Sequence, residues 1–211
     1  MKGLRAMSNE LKQDDIACLD IPIGVTIFCD MDGTLIDSDY ANFLSYKRAL
    51  LDSNCGVLDV EFKNERFNRE SLKERVPSLT DAQLEKIIAL KEECFMEFIS
   101  ETRLNAELAT LVKGCCDKNR VILVTGCRGK RALEVLKHHK VLNCFSRLIC
   151  WEDTRQRGLS NKYESAIELM GVSPDSVFIF EDDDICIEEA ISARVPRKNI
   201  HKVSIRGSGV L

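Results

Sequence analysis

Asp30 and Asp32 stand two residues apart at the end of the apolar run Ile23-Gly24-Val25-Thr26-Ile27-Phe28-Cys29, and Gly33-Thr34-Leu35 follows them. Neighbouring carboxylates repel one another, and a divalent cation is the usual means of holding them together. A second acidic group, Glu181-Asp182-Asp183-Asp184, closes another apolar run, Val177-Phe178-Ile179-Phe180, while Thr125-Gly126 closes a third, Val121-Ile122-Leu123-Val124. Carboxylates from two such runs would form an oxygen-rich site suited to Mg2+, which takes a few carboxylates together with water and phosphate. A hydroxyl, adjacent backbone N–H groups and a lysine would neutralise and orient phosphate oxygens. A carboxylate facing that phosphate can be a nucleophile, forming an acyl phosphate that water later cleaves.

Residues so far apart in sequence can meet only if the apolar runs are neighbouring parallel strands, whose carboxyl ends share one edge of a sheet. The rest of the chain fits that demand. From Arg120 onward strand and helix alternate: a strand at Val121–Val124, a helix over Lys130–Lys140, and a strand over Arg147–Trp151. A helix over Lys162–Met170 is stopped by Gly171; a strand at Val177–Phe180, a helix over Ile187–Ala193 and a short strand over His201–Ile205 follow. This alternation implies an α/β fold, a Rossmann-like three-layer sandwich with a parallel sheet. Between Ser38 and Leu111 the insertion is read as all-helical, with helices expected over Tyr40–Leu51 and Asn105–Cys116 and a short charged stretch at Ser71–Val76. Thr80-Asp81-Ala82-Gln83 reads as a capping box that opens a longer helix running through Leu84, Ile87, Cys94, Phe95, Phe98 and Ile99. The expected organisation is a discontinuous catalytic core, 20–37 and 112–211, a small all-helical domain at 38–111 above the strand ends, and an N-terminal extension at 1–19.

Composition narrows the partners. Of the 211 residues 45% are hydrophobic and 30% charged, with a formal net charge of -4, which suits a soluble protein and disfavours non-specific nucleic-acid binding. No apolar run reaches membrane-spanning length, and Met1–Asp20 lacks the apolar segment of a signal peptide, so a cytoplasmic protein, monomeric or weakly dimeric, is expected. The 10 cysteines include no C-x-x-C pair, and the 3 histidines complete no zinc pattern; reduced structural thiols are expected, with Cys127 singled out because it is next to a candidate site residue.

Asp30-x-Asp32-Gly33-Thr34-Leu35, Thr125 after an apolar strand, a downstream lysine and Glu181-Asp182, in that order, resemble the four motifs of the haloacid-dehalogenase-like phosphohydrolase superfamily. The resemblance covers about residues 22–38 and 119–195. The helical insertion after the first motif is similar to the superfamily's class-1 cap, and Val177–Ala190 looks like the beta-phosphoglucomutase and phosphoglycolate-phosphatase branch. By position, the resemblance implies that Asp30 receives the phosphoryl group and that Asp32 protonates the leaving alcohol and then deprotonates water. Thr125 would hydrogen-bond a phosphate oxygen. Asp182, Asp30 and the backbone carbonyl of Asp32 would hold Mg2+, with Glu181 ligating or bracing it. An acid at position 32 favours phosphate esters, since dehalogenases of the superfamily lack one there. The third motif falls on Lys162, which follows Asn161, or on Arg157, which matches the usual spacing better; Cys186 stands where the superfamily often has glycine.

Each residue also has a plainer reading. Thr125 can be a turn residue, Lys162 a surface charge, and Glu181–Asp184 an acidic helix start in which Asp183 and Asp184 favour the helix dipole. Gly126 and Arg128 could reach the substrate phosphate, and Arg69 and Lys91 could select the substrate; the alternatives are a surface arginine for Arg128 and helix-face salt bridging for Arg69 and Lys91. His138-His139 reads as exposed and inert. The leading function is a Mg2+-dependent phosphatase acting on a small phosphorylated metabolite, with the helical domain closing over the site. A phosphosugar mutase would use the same chemistry. A phosphoaspartate signalling receiver fits less well, because its acidic pair precedes the phosphorylated aspartate and it has no large helical insert.

Overall fold

The computed structural model describes residues 16, 19–56, 58–63, 65–155 and 161–205. Arg157 therefore lies outside the described residues, as does the expected extension apart from residues 16 and 19. Ile16 is buried within the main hydrophobic cluster.

β1 (Thr26–Cys29) is buried at every position, as its unbroken apolar sequence requires of a strand covered on both faces. It pairs in parallel with β4 (Arg120–Val124) on one side and β6 (Val177–Glu181) on the other. With β5 (Arg147–Ile149) and β7 (Ile200–Lys202) they form a parallel sheet of order β5-β4-β1-β6-β7. Successive side chains point to opposite faces. Ile27, Cys29, Val121, Leu123 and Phe180 pack with Leu108 and Val112 of α4 (Ala106–Cys115) and with Ala132, Val135 and Leu136 of α5 (Gly129–His138). Phe28, Ile122, Val124 and Ile179 face the other way, against Tyr163 and Ala166 of α7 (Lys162–Met170) and Ile187 and Ala190 of α8 (Asp184–Ser192). The result is the α/β, Rossmann-like three-layer fold expected. Register places Cys29 beside both Leu123 and Phe180, so the chain leaves β1, β4 and β6 at one common edge.

α1 (Asp39–Ser53), α2 (Arg69–Arg75) and α3 (Asp81–Cys94) share a separate cluster built on Phe43, Tyr46, Leu50, Leu58, Phe67 and Ile87. The capping box of Thr80 and Gln83 opens α3 as read from the sequence. β2 (Ile36–Asp37) and β3 (Arg103–Leu104), the two crossings between sheet and helices, pair antiparallel, and Asn105 Nδ2 donates to the Thr34 carbonyl at 3.1 Å to fix them. α4 packs on the sheet, so the expected boundary at 111/112 falls inside a helix that belongs to the sheet's own cluster.

Some element limits differ from the sequence reading. α3 tightens into a 3-10 helix at Phe95–Glu101 instead of running on as α-helix. The strand expected over Arg147–Trp151 stops at Ile149: the Asp153 carboxylate accepts the Cys150 N–H at 2.9 Å, and α6 (Trp151–Arg155) begins there. α8 starts at Asp184, ahead of Ile187, because Asp183 Oδ1 accepts the Ile185 and Cys186 N–H groups. The last strand is Ile200–Lys202, earlier than expected. Among the described residues no helix is long and apolar enough to cross a membrane.

Candidate active site

The strand ends deliver the carboxylates. Asp30 follows β1, Glu181 ends β6 and Asp182 follows it; all three are buried, and one oxygen from each lies within 4.8 Å of the others. Gly33, at φ 93, takes the left-handed conformation that turns the chain after Asp32. It thereby places Thr34, whose hydroxyl donates to Asp182 Oδ1 at 3.0 Å. Lys162, the first residue of α7, reaches Asp30 Oδ1 and Glu181 Oε2, at 2.7 Å each. A lysine at a helix N-terminus opposes the helix dipole, and here the two carboxylates compensate. Asn161 sets the position: its Oδ1 caps the Tyr163 and Glu164 N–H groups and its Nδ2 donates to the Glu189 carbonyl of α8 at 2.7 Å. Tyr163 in turn donates its hydroxyl to Glu181 Oε2 at 2.6 Å.

Burial and the Glu181 charge push the Asp30 carboxyl well above its ordinary range, with Lys162 opposing them. Lys162 stays firmly charged because Asp30 and Glu181 outweigh the burial that would discharge it. Lys162 bonds two of the three buried carboxylates and Arg66 lies 4.0 Å from the third while pairing with Asp183, so the acids outnumber the cations at the strand ends. The donors are all hard oxygens, and a divalent cation such as Mg2+ fits both the charge and the donor set.

Asp32 lies in a different environment. Its Oδ1 accepts the Ser38 hydroxyl at 2.5 Å and its Oδ2 accepts Arg131 Nη2 at 3.0 Å. Arg131 also donates Nη1 to Asn42 Oδ1 at 2.9 Å and Nε to Cys127 Sγ at 2.8 Å, and Asn42 Nδ2 closes the ring by donating to Ser38 Oγ at 3.1 Å. Burial would raise Asp32, but Arg131 and the Ser38 hydrogen bond hold its carboxyl below the ordinary carboxylate value. Arg131 was not among the residues selected from the sequence. The available signal was its place four residues after buried Cys127 and four before buried Val135, on the inward stripe of α5.

A cavity of about 310 Å³ joins these groups: Asp30, Asp32, Thr125, Gly126 and Lys162 line it from the sheet side, and Tyr46, Asn68, Lys91 and Glu92 from the helical side. Thr125 Oγ1 accepts the Cys127 N–H at 3.1 Å, which fixes the loop after β4. Burial pushes the Cys127 thiol up to about 12, so this cysteine stays a neutral packing group. Of the cations expected to select substrate, only Lys91 faces this cavity. Arg69 pairs with Glu85 at 2.9 Å on the surface, and Arg128 lies over the Trp151 ring at 4.8 Å. Arg66, from the loop before α2, reaches the site instead, pairing with Asp183 and lying 4.0 Å from Asp182 Oδ2. His139 is half-buried and shares a 2.7 Å hydrogen bond with Thr102, so it is not the exposed residue expected; His138 is exposed. A larger cavity of about 680 Å³ lies between Ile21, Ile23, Leu111 and Cys115, at the amino end of β1 and away from the carboxylates.

A parallel sheet with carboxylates, a threonine and a lysine gathered at its carboxyl edge defines an α/β protein of Rossmann-like build with an acidic site at its strand ends. The family model described as haloacid dehalogenase-like hydrolase matches residues 27–199, and the chain belongs to that family. Among solved structures it is similar to a predicted phosphatase from Clostridium acetobutylicum (TM-score 0.68, 17% identity, 83% of each chain covered). It is similar also to a predicted phosphoglycolate phosphatase from Haemophilus somnus (TM-score 0.62, 18% identity, 83% of this chain and 84% of that chain). A Thermotoga maritima protein put forward as a beta-phosphoglucomutase aligns at TM-score 0.57 and 21% identity, over 84% of each chain. At these identities the likeness is one of fold. No protein of curated function matches the sequence.

Proposed function

We propose that this protein is a Mg2+-dependent phosphatase that hydrolyses a small phosphorylated metabolite through an aspartyl phosphate on Asp30. The observation that carries the reading is the meeting of Asp30, Glu181 and Asp182 within 4.8 Å, with Lys162 bonded to two of them. Asp30, Glu181 and Asp182, with the Asp32 carbonyl, would hold Mg2+, which supplies the positive charge that keeps the carboxylates ionised and draws in the phosphate. An Asp30 oxygen attacks phosphorus and the bond to the leaving alcohol breaks, while Asp32, which must first take a proton from solvent against the hold of Arg131 and Ser38, gives it to that alcohol. Asp32, now ionised and oriented by Ser38 and Arg131, then takes a proton from water as the water attacks phosphorus. The bond from phosphorus to Asp30 breaks and phosphate leaves. Thr125 and Lys162 orient phosphate oxygens throughout. The helical layer of α1, α2 and α3 acts as a cap that excludes bulk water and selects the alcohol.

Asp30→Asn should lower turnover of an aryl phosphate by at least ~10³-fold, and EDTA should silence the wild type until Mg2+ is restored. Near-normal activity in either experiment would overturn the reading. Release of inorganic phosphate, as opposed to a bisphosphate intermediate and an isomeric ester, separates phosphatase from phosphosugar mutase.

A further inference from the structure

Arg66 carries a positive charge from the helical layer to the acidic cluster, and its backbone is firmly placed. Phe67, the next residue, is buried in the cluster shared by α1, α2 and α3. Asn68 caps α2, and Ser71 Oγ donates to the Arg66 carbonyl at 3.1 Å. The side chain therefore leaves the helical layer from a set point. It crosses to the acids that follow β6, where Nη1 pairs with Asp183 Oδ2 and lies 4.0 Å from Asp182 Oδ2.

Both aspartates are fixed as well. Asp183 Oδ1 caps α8, and Asp182 Oδ1 accepts the Thr34 hydroxyl, so the second oxygen of each is the one turned to Arg66. The Asp182 side chain is only 2% exposed, and it belongs to the group of three carboxylates suited to a divalent cation. A guanidinium and a dication that share one buried carboxylate repel each other, and solvent screens that repulsion only in part. Lys162 stands on the sheet side and keeps its place wherever the helical layer sits. The distance from Arg66 to Asp182, by contrast, is set by the seating of that layer.

We propose that Arg66 competes with the cation, so that seating of the helical layer through Arg66 and binding of Mg2+ at Asp182 weaken one another. The proposal rests on the reading of Asp30, Glu181 and Asp182 as a Mg2+ site. Such coupling is reciprocal. A loaded site favours release of Arg66 from the rim of the cavity it lines, and a seated layer loosens the hold on the cation.

Calorimetric titration of the full chain with Mg2+ tests this. Arg66→Gln should bind Mg2+ at least about fivefold more tightly than wild type, the lower end of ordinary coupling between sites. Arg69→Gln removes the same charge from the surface pair with Glu85 and should leave the affinity near that of wild type. Hydrogen exchange reads the reverse direction: Mg2+ should quicken exchange in the wild-type peptide containing Arg66 and have no such effect in Arg66→Gln. Unchanged or weaker binding in Arg66→Gln, an equal gain in Arg69→Gln, or exchange around Arg66 that Mg2+ leaves alone or slows would each overturn the proposal. Asp182→Asn separates this inference from the Mg2+ reading. Binding lost in Asp182→Asn but indifferent to Arg66 leaves the Mg2+ reading standing and removes this inference alone. Binding kept in Asp182→Asn, or absent from both wild type and Arg66→Gln, removes both.

Discussion

Asp30 and Asp32 are close in sequence yet are placed in opposite electrostatic settings. Asp30 is crowded by carboxylates with one lysine among them, whereas both oxygens of Asp32 are occupied by donors from Arg131 and Ser38. Without a cation these settings run against the proposed roles, so bound Mg2+ would have to ionise Asp30, and Asp32 would have to gain a proton against the hold of Arg131 and Ser38 before acting as the acid. Lys91 gives a pH signature of its own. Burial, with Arg131 nearby, brings its pKa from the ordinary 10.5 down to about 8 against the pull of Glu92 and Asp32. Between about 8 and 10.5 the unfolded chain holds the proton that the folded chain has lost, so stability rises with pH across that window. Below it the cost of burying the charge is felt in full. Lys91→Met should therefore raise Tm at pH 7, by up to about 3 kcal/mol in stability, and the advantage should shrink as pH climbs through the window. A Tm difference that does not vary with pH would contradict this. The acids were legible because a strand followed by Asp-x-Asp-Gly has few other uses. Arg131 and Glu92 were not, because a charge beside apolar helix positions reads as solvent-facing until the packing on that stripe is known; Lys91, seven residues after Leu84 on the buried stripe of α3, was named but not read as buried.

At the scale of elements, the site depends on how helices begin. Asn161 caps α7 and ties it to α8, and both tasks fix where Lys162 emerges. Asn161→Ala should cost about 1 kcal/mol of stability and lower kcat more than it raises KM, since it loosens the lysine proposed to touch the reacting phosphate. A change confined to Tm would show that Lys162 is held by its carboxylates alone. Strands and longer helices were readable from periodicity, and the capping box of α3 from four residues. What escaped were features decided by a single hydrogen bond across a turn. Asp153 converting the end of a strand into the start of α6 is one. The pairing of β2 with β3 is another, since two-residue strands carry no period to read and their partners are distant in sequence.

Across the whole molecule, the acidic cluster unites chain segments on either side of the helical insertion, with β1 as the central strand of the sheet. A ligand held by both segments stabilises the folded state by mass action. Adding Mg2+ should raise Tm in the wild type, and Asp182→Asn, which removes one of the gathered carboxylates, should abolish most of that rise. An equal rise in the variant would place the cation elsewhere. The central claim concerns Asp30, and it is tested most directly by trapping. Asp32→Asn protein, given Mg2+ and an aryl phosphate whose leaving group needs no proton, should load Asp30 and then stall for want of a base. Acid quenching and peptide mass spectrometry should find one phosphoryl group on the peptide containing Asp30. Absence of that group, or its presence on any other residue, would contradict the account.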